Sequence, residues 1–329
     1  MIFPRYGFIR AAAIGAIVGA IALLALCGHG AQSQIAQPIR IVVPAAPGGL
    51  NDILARLLGD QIERNQGTAV VIENRPGAGT AIGTESVARA APDGNTLLVV
   101  ATPFLINPQL RKLNFDPLTS FEPICRLVSS PTLIVVNNAS PYHTLADLIG
   151  AARASPGTLT LGSVGPGSPY QLGFEMLKRA AQVDMTFVPY PGNAPAVNAL
   201  LGDHVTSMFG TYSDVAEYVK AGKLRALATG DQTRISWLPE LPTVAESGYP
   251  DYEVDSWFGV YAPAKTPKET LSRLAGWFSA GLQAPEVKDK LALLGLSPVG
   301  LCGADFAVYL RKQYQQFGRI IRDANIKAE

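Results

Sequence analysis

The chain has 329 residues, a length that favours two domains of ordinary size over one. Hydrophobic residues make up 48% of it and charged residues 16%, a composition that excludes an intrinsically disordered chain and supplies large apolar cores. The formal net charge of +1 excludes nucleic acid as a main partner, because phosphate binding needs a concentrated basic surface.

The first 33 residues predict export. Two arginines precede an uncharged, apolar run from Ala11 to Cys27, and small residues suit cleavage after Ser33, as in a secretory signal peptide. A periplasmic location follows from this interpretation. The alternative, a retained membrane anchor, rests on the length of the run, which is near that of a spanning helix. Lipid attachment at Cys27 is disfavoured, because the bulky Leu26 precedes it.

Two cysteines remain after the predicted cleavage, Cys125 and Cys302. Export permits a disulfide between them. Isolated cysteines are equally typical of buried apolar positions. Both interpretations stay open at the level of sequence.

Strand and helix patterns alternate along the mature chain, which predicts an α/β fold with largely parallel sheets. The first series of strands is predicted at 39–43, 69–72, 97–100 and 133–136. The pattern restarts near Leu145. Helices are predicted there at 145–154, 170–181, 195–201 and 213–221, and strands at 159–162, 185–188, 205–209 and 224–229.

The last third of the chain predicts a return to the first domain. Residues 256–262 form an apolar segment that we interpret as a return crossing, and helices are predicted at 267–282, 286–294 and 305–323 with no strand between them. We therefore expect a discontinuous first lobe of residues 34–135 plus 263–329. The second lobe is expected at 136–262, including the return crossing. Two crossings between lobes form a hinge.

Glycine-rich loops follow several predicted strands and precede helices. The first contains Ala46, Pro47, Gly48 and Gly49 and leads to Asp52 in the next helix. Adjacent glycines expose backbone N–H groups, and the helix N-terminus adds partial positive charge, so such a loop suits an anion. Ligands of open α/β sheets bind at the carboxyl ends of strands, where this loop lies. A simple tight connection explains the first loop equally well.

Two similar loops occur in the second half of the chain. One contains Ser163, Gly165 and Ser168, whose hydroxyls and neighbouring N–H groups suit a carboxylate. The other covers residues 188–196. Residues 73–83 have a G-x-G-x-x-x-G spacing, but a dinucleotide site is disfavoured because no acidic residue ends the next strand. Loops from both lobes predict a shared cleft.

The sequence offers no catalytic constellation. His143 and His204 are the histidines of the mature chain, too few for a histidine metal cluster and a poor basis for a catalytic triad. No metalloprotease, C-x-x-C or P-loop motif occurs. We therefore predict neither a cofactor nor a metal, and a binding protein in preference to an enzyme. The alternative is an exported enzyme on the same scaffold, acting through Asp52 or Ser168.

With these residues identified, the chain resembles the Bug family, the TctC-type binding proteins of tripartite tricarboxylate transport. The resemblance runs through the whole mature chain in order. It is carried by residues 38–44 (PIRIVVP), 46–49 (APGG) with Asp52, 73–79 (ENRPGAG), 91–94 (APDG), 188–190 (VPY), 221–228 (AGKLRALA) and 241–246 (LPTVAE).

The resemblance implies a two-lobed periplasmic-binding-protein fold of type II, the Venus flytrap, that captures a small carboxylate such as a dicarboxylate, tricarboxylate or aromatic acid. It implies binding mainly by main-chain groups and ordered water, for uptake through membrane permease subunits or for sensing, by a monomer. Matching cleft positions are Ala46, Pro47, Gly48, Gly49, Asp52 and Thr102 in the first lobe, and Ser163, Gly165, Ser168, Gly192, Asn193 and Ala194 in the second.

The chain departs from the family pattern at two places near the predicted cleft. Tyr170 and Gln171 stand where family members often carry a histidine. Gly210 stands where an aspartate is common. Loss of that acid, if the position faces the cleft, removes a partner for a ligand amine, so we hypothesise a ligand without an ammonium group.

Overall fold

The computed structural model describes residues 37–165 and 167–327. The predicted signal peptide of residues 1–33, with Cys27 and the cleavage point after Ser33, lies outside the described residues. Within the described part, no helix has both the length and the apolarity that crossing a bilayer requires. Two β-sheets organise this part of the chain, and each is covered by helices on both faces.

The first lobe is built on a six-stranded sheet of order β11-β4-β10-β3-β1-β2. Strands β1, β2 and β3 are parallel, whereas β10 runs antiparallel to β3 and β4. The strands are β1 (Ile39–Val43), β2 (Val70–Asn74), β3 (Thr96–Ala101), β4 (Phe121–Ser130), β10 (Ser256–Pro263) and β11 (Ser297–Cys302).

Helices bury the apolar faces of this sheet. Those of the first lobe are α1 (Leu50–Gln66), α2 (Ala81–Ala88), α3 (Pro103–Leu110), α8 (Lys268–Gln283), α9 (Pro285–Leu293) and α10 (Gly303–Asp323). One core joins the sheet to α1, α8 and α9, and a second joins it to α2, α3 and α10. Strand β1 is fully buried from Ile41 to Val43, as expected for a central parallel strand.

The second lobe contains a five-stranded sheet of order β7-β6-β8-β5-β9. Its strands are β5 (Thr132–Asn137), β6 (Thr160–Val164), β7 (Thr186–Tyr190), β8 (Ser207–Thr211) and β9 (Leu224–Thr229). Its helices are α4 (Leu145–Ala154), α5 (Pro169–Ala181), α6 (Asn193–Leu201) and α7 (Tyr212–Lys220). One core includes α4 and α5, and the opposite core includes α6 and α7.

The crossings between the sheets differ from the predicted lobe boundaries. β4 ends at Ser130 in the first sheet and β5 begins at Thr132 in the second, so the chain crosses at Pro131, not after residue 135. It returns between Thr229 and Ser256. The predicted return strand therefore belongs to the first lobe, because β10 pairs with β4 along its whole length. An apolar strand pattern does not identify the sheet that will pair with it.

A buried polar cluster lies at the two crossings. The carboxylate of Asp231 accepts hydrogen bonds from Ser129 Oγ (2.8 Å), Thr229 Oγ1 (2.9 Å) and the Thr132 N–H (3.1 Å). Burial raises the pKa of Asp231, although these hydrogen bonds and the charge of Arg126 oppose the rise. Three donors from both crossings thus converge on one side chain and fix the hinge segments to each other.

Arg126 forms the other half of this cluster. Its guanidinium pairs with Asp255 and lies 4.4 Å from the ring centroid of Tyr309. The Tyr309 hydroxyl donates to Asp255 at 3.0 Å. The return crossing is thereby bound to β4 and to α10, so this cation is engaged within the hinge.

Cys125 and Cys302 form a disulfide. They lie opposite each other in the neighbouring strands β4 and β11. The sequence left their pairing open, and β11 itself was not predicted. Pro298 and Gly300 weaken its strand pattern, and such residues are tolerated because β11 is an edge strand with an irregular register.

Candidate functional site

The loop after β1 is shaped by Asp52. Its carboxylate is buried, accepts the Gly48 N–H at 2.9 Å and pairs with Arg56 at 2.9 Å. Gly48 has φ +84°, a left-handed conformation that favours glycine. Burial raises the pKa of Asp52, but hydrogen bonds from Arg56, Gly48 and Asn74 outweigh it and leave the pKa below its ordinary value. Asp52 is therefore ionised, and its carboxylate holds the loop in place.

The four residues before α1 are left accessible by this arrangement. Ala46, Pro47, Gly48 and Gly49 are exposed, and Gly49 is the N-cap of α1 without a capping side chain. The first N–H groups of a helix lack partners inside it, and the helix dipole favours an anion there. This part of the first loop retains the features that the sequence predicted for anion binding.

The loop after β2 supports the first one. A β-carbon at Gly83, in the first turn of α2, would lie 2.8 Å from the Pro44 side chain and 2.7 Å from the Arg75 carbonyl, so α2 packs closely on the loop after β1 and on the start of this loop. The Gly79 carbonyl accepts from Asn107 and Arg111, each at 3.1 Å. Arg75 pairs with Glu73 at 2.6 Å. This loop therefore acts as a brace, and its arginine is engaged by a neighbouring carboxylate.

Thr102 is placed at the end of β3 but is fully buried. Its hydroxyl accepts the Trp257 N–H at 2.9 Å, and its own N–H donates to the Trp257 carbonyl at 3.1 Å. These bonds join β3 to β10. The threonine that matches a family cleft position therefore has a clear structural role in this chain.

The serines of the second-lobe loop also bond within the protein. Ser163 is fully buried and its hydroxyl donates to the Phe209 carbonyl. Ser168 is the N-cap of α5: its Oγ accepts from Gln171 N at 3.2 Å and donates to the Val164 carbonyl at 2.9 Å. Gly165 N–H donates to the Tyr190 carbonyl at 3.1 Å. These groups set the conformation of the loop.

The loop after β7 leaves one polar atom without a partner. Gly192 is the N-cap of α6, and Asn193 is its first helical residue. The Asn193 Oδ1 atom is buried and accepts no hydrogen bond. Ala194 is exposed beside it. An unpaired buried acceptor at a helix N-terminus is suited to a ligand that donates a hydrogen bond.

A cavity of about 540 Å³ lies between the two lobes. Pro103 and Asn107 of α3 form its first-lobe side, and the loops after β6 and β7 form the other. Gly165 and Ser168 are the predicted site residues that line it. The other ten predicted site residues do not line this cavity. Asn107 and Tyr190 line it without having been predicted.

A larger cavity, about 680 Å³, lies at the edge of the second lobe beside β9. Leu224, Leu227 and Leu241 are among its lining residues, with His143 and Glu240 at its polar part. No predicted site residue lines it. The smaller cavity, which both lobes share, is therefore the candidate ligand site.

Gly210 and Tyr170 are positions at which the sequence departs from the family pattern. A β-carbon at the buried Gly210 would lie 3.8 Å from the Asp214 carboxylate, so an acidic group is present beside the position that lacks one. The Asp214 carboxylate accepts hydrogen bonds from Thr211 at the start of α7, and the hypothesis of a ligand without an ammonium group stays a prediction. Tyr170 lies at the start of α5, its ring packs edge to face on Phe209, and burial raises the pKa of its hydroxyl. From the sequence alone, a tyrosine at this position cannot be distinguished from one that packs in the core.

Residues 54–326 match the model of the tripartite tricarboxylate transporter family receptor. Protein BugT of Bordetella pertussis is 31% identical over 300 residues, which cover 90% of this chain and 92% of BugT. A structure of the periplasmic binding protein BugD is 34% identical with a TM-score of 0.68, and the match covers 89% of this chain and 99% of BugD.

A structure of R. palustris Rpa4515 with adipate is also similar, at 32% identity and a TM-score of 0.71, over 88% of this chain and 98% of the other. These likenesses confirm the predicted two-lobed α/β fold of periplasmic binding proteins. The chain belongs to the tripartite tricarboxylate transporter receptor family.

Proposed function

We propose that this protein is a periplasmic receptor that captures a small carboxylate between its two lobes. The observation that carries the proposal is the exposed loop from Ala46 to Gly49, which places uncapped helix N–H groups at the carboxyl end of β1. A similar receptor has been solved with adipate, a dicarboxylate. The cavity that the lobes share has Pro103 and Asn107 on its first-lobe side and Gly165 and Ser168 on its second-lobe side.

In the proposed mechanism, the main chain of the first loop binds the ligand carboxylate. Asp52 does not contact the ligand through its charge but holds Gly48 in place, since it accepts the Gly48 N–H and is neutralised by Arg56. Contacts from Gly192, Asn193 and Ala194 then favour the closed arrangement. Closure about the two crossings stabilises the bound state, because a ligand that touches both lobes binds the closed form better.

We propose further that the receptor is an exported monomer that delivers its ligand to membrane permease subunits without changing it chemically. Delivery of the occupied receptor to a sensor protein is the alternative use of the same closed form. In this proposal, the role of Thr102 and Ser163 is to set the positions of the loops. Asp52 and Ser168 are engaged in hydrogen bonds, which opposes the alternative of an enzyme that uses them.

Binding can be tested on the purified exported protein with a thermal-shift panel of small carboxylates, followed by calorimetry. A ligand at a hundred times its Kd stabilises the folded state by about 2.7 kcal/mol, which corresponds to a rise in Tm of roughly 5–10 °C. Mass spectrometry of the recovered ligand should show it unchanged. Absence of binding by every carboxylate tested, or turnover of a bound one, contradicts the proposal.

A matched pair of variants on α1 tests the first loop. Asp52→Asn should lower affinity at least tenfold, because it removes the charge that orders Gly48. Asp60→Asn changes the same residue type at an exposed position of the same helix and should leave affinity unchanged. Equal affinities for both variants would place the ligand away from this loop.

A further inference from the structure

The cavity of about 540 Å³ that the two lobes share has no charged side chain among the described residues that line it. Three prolines, two glycines and a valine form most of its walls, and its polar side chains are those of Asn107, Ser168 and Tyr190. The volume is that of a small-molecule site, which is roughly 300–1,000 Å³. A charged group that enters such a cavity loses its water, so the lining must supply cations or hydrogen-bond donors in compensation.

The donors that the second lobe places at this cavity are used within the protein. The Gly165 N–H donates to the Tyr190 carbonyl at 3.1 Å, and the Ser168 hydroxyl donates to the Val164 carbonyl at 2.9 Å. These bonds fix the loops after β6 and β7 to each other and to β6. The prolines of the lining have no N–H to donate. The donors named here are thus engaged before a ligand arrives.

The N-terminus of α5 meets the cavity at Ser168 and is capped. The Ser168 Oγ accepts the Gln171 N–H at 3.2 Å, and the Gln171 Oε1 accepts the Gly167 N–H at 2.8 Å. Pro169 occupies the first helical position and has no N–H. Two of the first three helical positions therefore offer no donor to an anion, and neither does Gly167.

The two lobes thus offer a ligand different chemistry. Helix α1 begins at Gly49 without a capping side chain, and the first loop before it, Ala46 to Gly49, is exposed. A carboxylate is stabilised there by N–H groups and by the helix dipole. A second carboxylate in the shared cavity would be buried without a cation and beside donors that are already engaged, which disfavours its binding.

The first-lobe wall of the cavity is joined to the first loop through the loop after β2. The Asn107 Nδ2 donates to the Gly79 carbonyl of that loop at 3.1 Å. Helix α2 follows the same loop and packs Gly83 closely on Pro44, which precedes the first loop. Arg111 also donates to the Gly79 carbonyl but does not line the cavity. The first loop and the cavity wall therefore belong to one packed set of first-lobe loops.

We propose that this receptor selects monocarboxylates whose remaining part is uncharged and apolar. The inference rests on the proposed function: the carboxylate binds at the first loop, and the apolar part occupies the shared cavity. The proline rings, Val164 and the Tyr190 ring supply contacts for this part, and burial of its hydrocarbon surface favours binding. A dicarboxylate of the same length brings a second charge into the cavity and binds less tightly.

Calorimetry with matched acids tests this selectivity. Each set contains a dicarboxylate, its monomethyl ester and the unsubstituted monocarboxylate, so that length is kept while the second charge is removed. One series is linear, over a range of chain lengths, and another is built on benzoic acid with the second group in the para position. In the set that binds best, the monoester and the unsubstituted acid should each bind at least tenfold more tightly than the dicarboxylate.

Variants then assign the selectivity to the cavity. Asn107→Lys places a cation on the first-lobe wall and should raise the affinity for the dicarboxylate, relative to its monoester, at least tenfold. Asn198→Lys makes the same change at an exposed position of α6 that does not line the cavity, and it should leave the ratio unchanged. Gln171→Ala frees the Gly167 N–H and should shift the ratio in the same direction by a smaller factor.

The outcomes separate the two proposals. If the wild-type protein binds a dicarboxylate as tightly as its monoester or more tightly, the inference is overturned and carboxylate binding stands. An unchanged ratio in Asn107→Lys that is folded by circular dichroism also overturns it, because the far end of the ligand then lies outside the cavity. If no acid of either series binds, both the proposed function and this inference fail. A preference for the monoester that Asn107→Lys loses and Asn198→Lys keeps supports the selectivity proposed here.

Discussion

The two lobes use the same strand, glycine-rich loop and helix arrangement, but they stabilise its loops with different groups. In the first lobe an ionised carboxylate, Asp52, accepts the Gly48 N–H and pairs with Arg56. In the second lobe, neutral hydroxyls of Ser163 and Ser168 donate to main-chain carbonyls. In both lobes, polar side chains that resemble ligand-binding groups instead fix the conformation of the loop.

The lobes also differ in how the chain builds them. The first lobe combines strands from both ends of the described chain and carries the Cys125–Cys302 disulfide. The sheet of the second lobe consists of strands from one continuous segment, 132–229. We expect covalent and charged interactions to dominate the stability of the first lobe, and neutral hydrogen bonds to stabilise the loops of the second.

Removal of the disulfide should have the largest effect. The Cys125→Ala, Cys302→Ala double variant should lose about 2–4 kcal/mol of unfolding free energy, because the bond closes a long loop in the unfolded chain. Urea denaturation measures the loss. Hydrogen exchange should show amides of β4 and β11 losing more protection than those of β6 and β8. Equal losses of protection in both lobes would contradict the proposed difference between the lobes. Wild-type protein in reducing buffer is the control for the side-chain volume that the two substitutions remove.

Removal of the Asp52 carboxylate should have the next largest effect on stability. Asp52→Ala removes the acceptor of the Gly48 N–H and leaves Arg56 without its close partner, so we expect a loss of about 1–3 kcal/mol. Urea denaturation is again the measurement, with Asp60→Ala as the control on the same helix. A loss no larger than that of the control would mean that the loop keeps its shape without the carboxylate.

The Ser168 hydroxyl, a neutral cap in the second lobe, should contribute less to the free energy of unfolding. Ser168→Ala removes the hydroxyl that caps α5, and the loss of such a cap costs about 1 kcal/mol. The loss should be the same across the pH range in which the protein stays folded, because the hydroxyl does not titrate. A pH-dependent loss would show that a charged group, not the cap, had been disturbed.

A pH titration of stability gives the smallest and most selective test. The folded-state pKa of Asp52 is lowered, so its contribution is present above the unfolded pKa of roughly 3.9 and is lost as the pH falls through the folded value. The stability difference between wild type and Asp52→Asn should therefore be constant near neutral pH and shrink in acid. A stability difference that grows as the pH falls would mean that folding raises the pKa of Asp52 and does not lower it.

Much of the second lobe could be predicted from the sequence. Helix α4 and strand β9 were predicted with their observed bounds, because their apolar residues recur regularly and polar residues mark the ends. Strands β4 and β11 and helix α3 were missed. Pro123, Pro298 and Pro108 interrupt their patterns, and long-range pairing or packing compensates for these prolines in the folded chain.

The sequence predicted where the glycine-rich loops lie but not the hydrogen bonds that their side chains make. The exposed residues Ala46 to Gly49 lie where the glycine pattern placed them. By contrast, the hydroxyls of Thr102 and Ser163 are engaged by Trp257 and Phe209, partners that sequence spacing cannot identify. Asn107 and Tyr190, which line the shared cavity, lie far apart in the chain and meet there only in the folded protein.

The position of the disulfide in the chain has a consequence for biosynthesis. Cys302 lies 177 positions after Cys125, and every strand of the second lobe falls between them. The bond can therefore form only in a polypeptide that already contains the whole second lobe. In an unfinished or truncated chain, the Cys125 thiol remains open to exchange with oxidoreductases. The oxidised pair thus distinguishes completed receptors from fragments before any ligand is encountered.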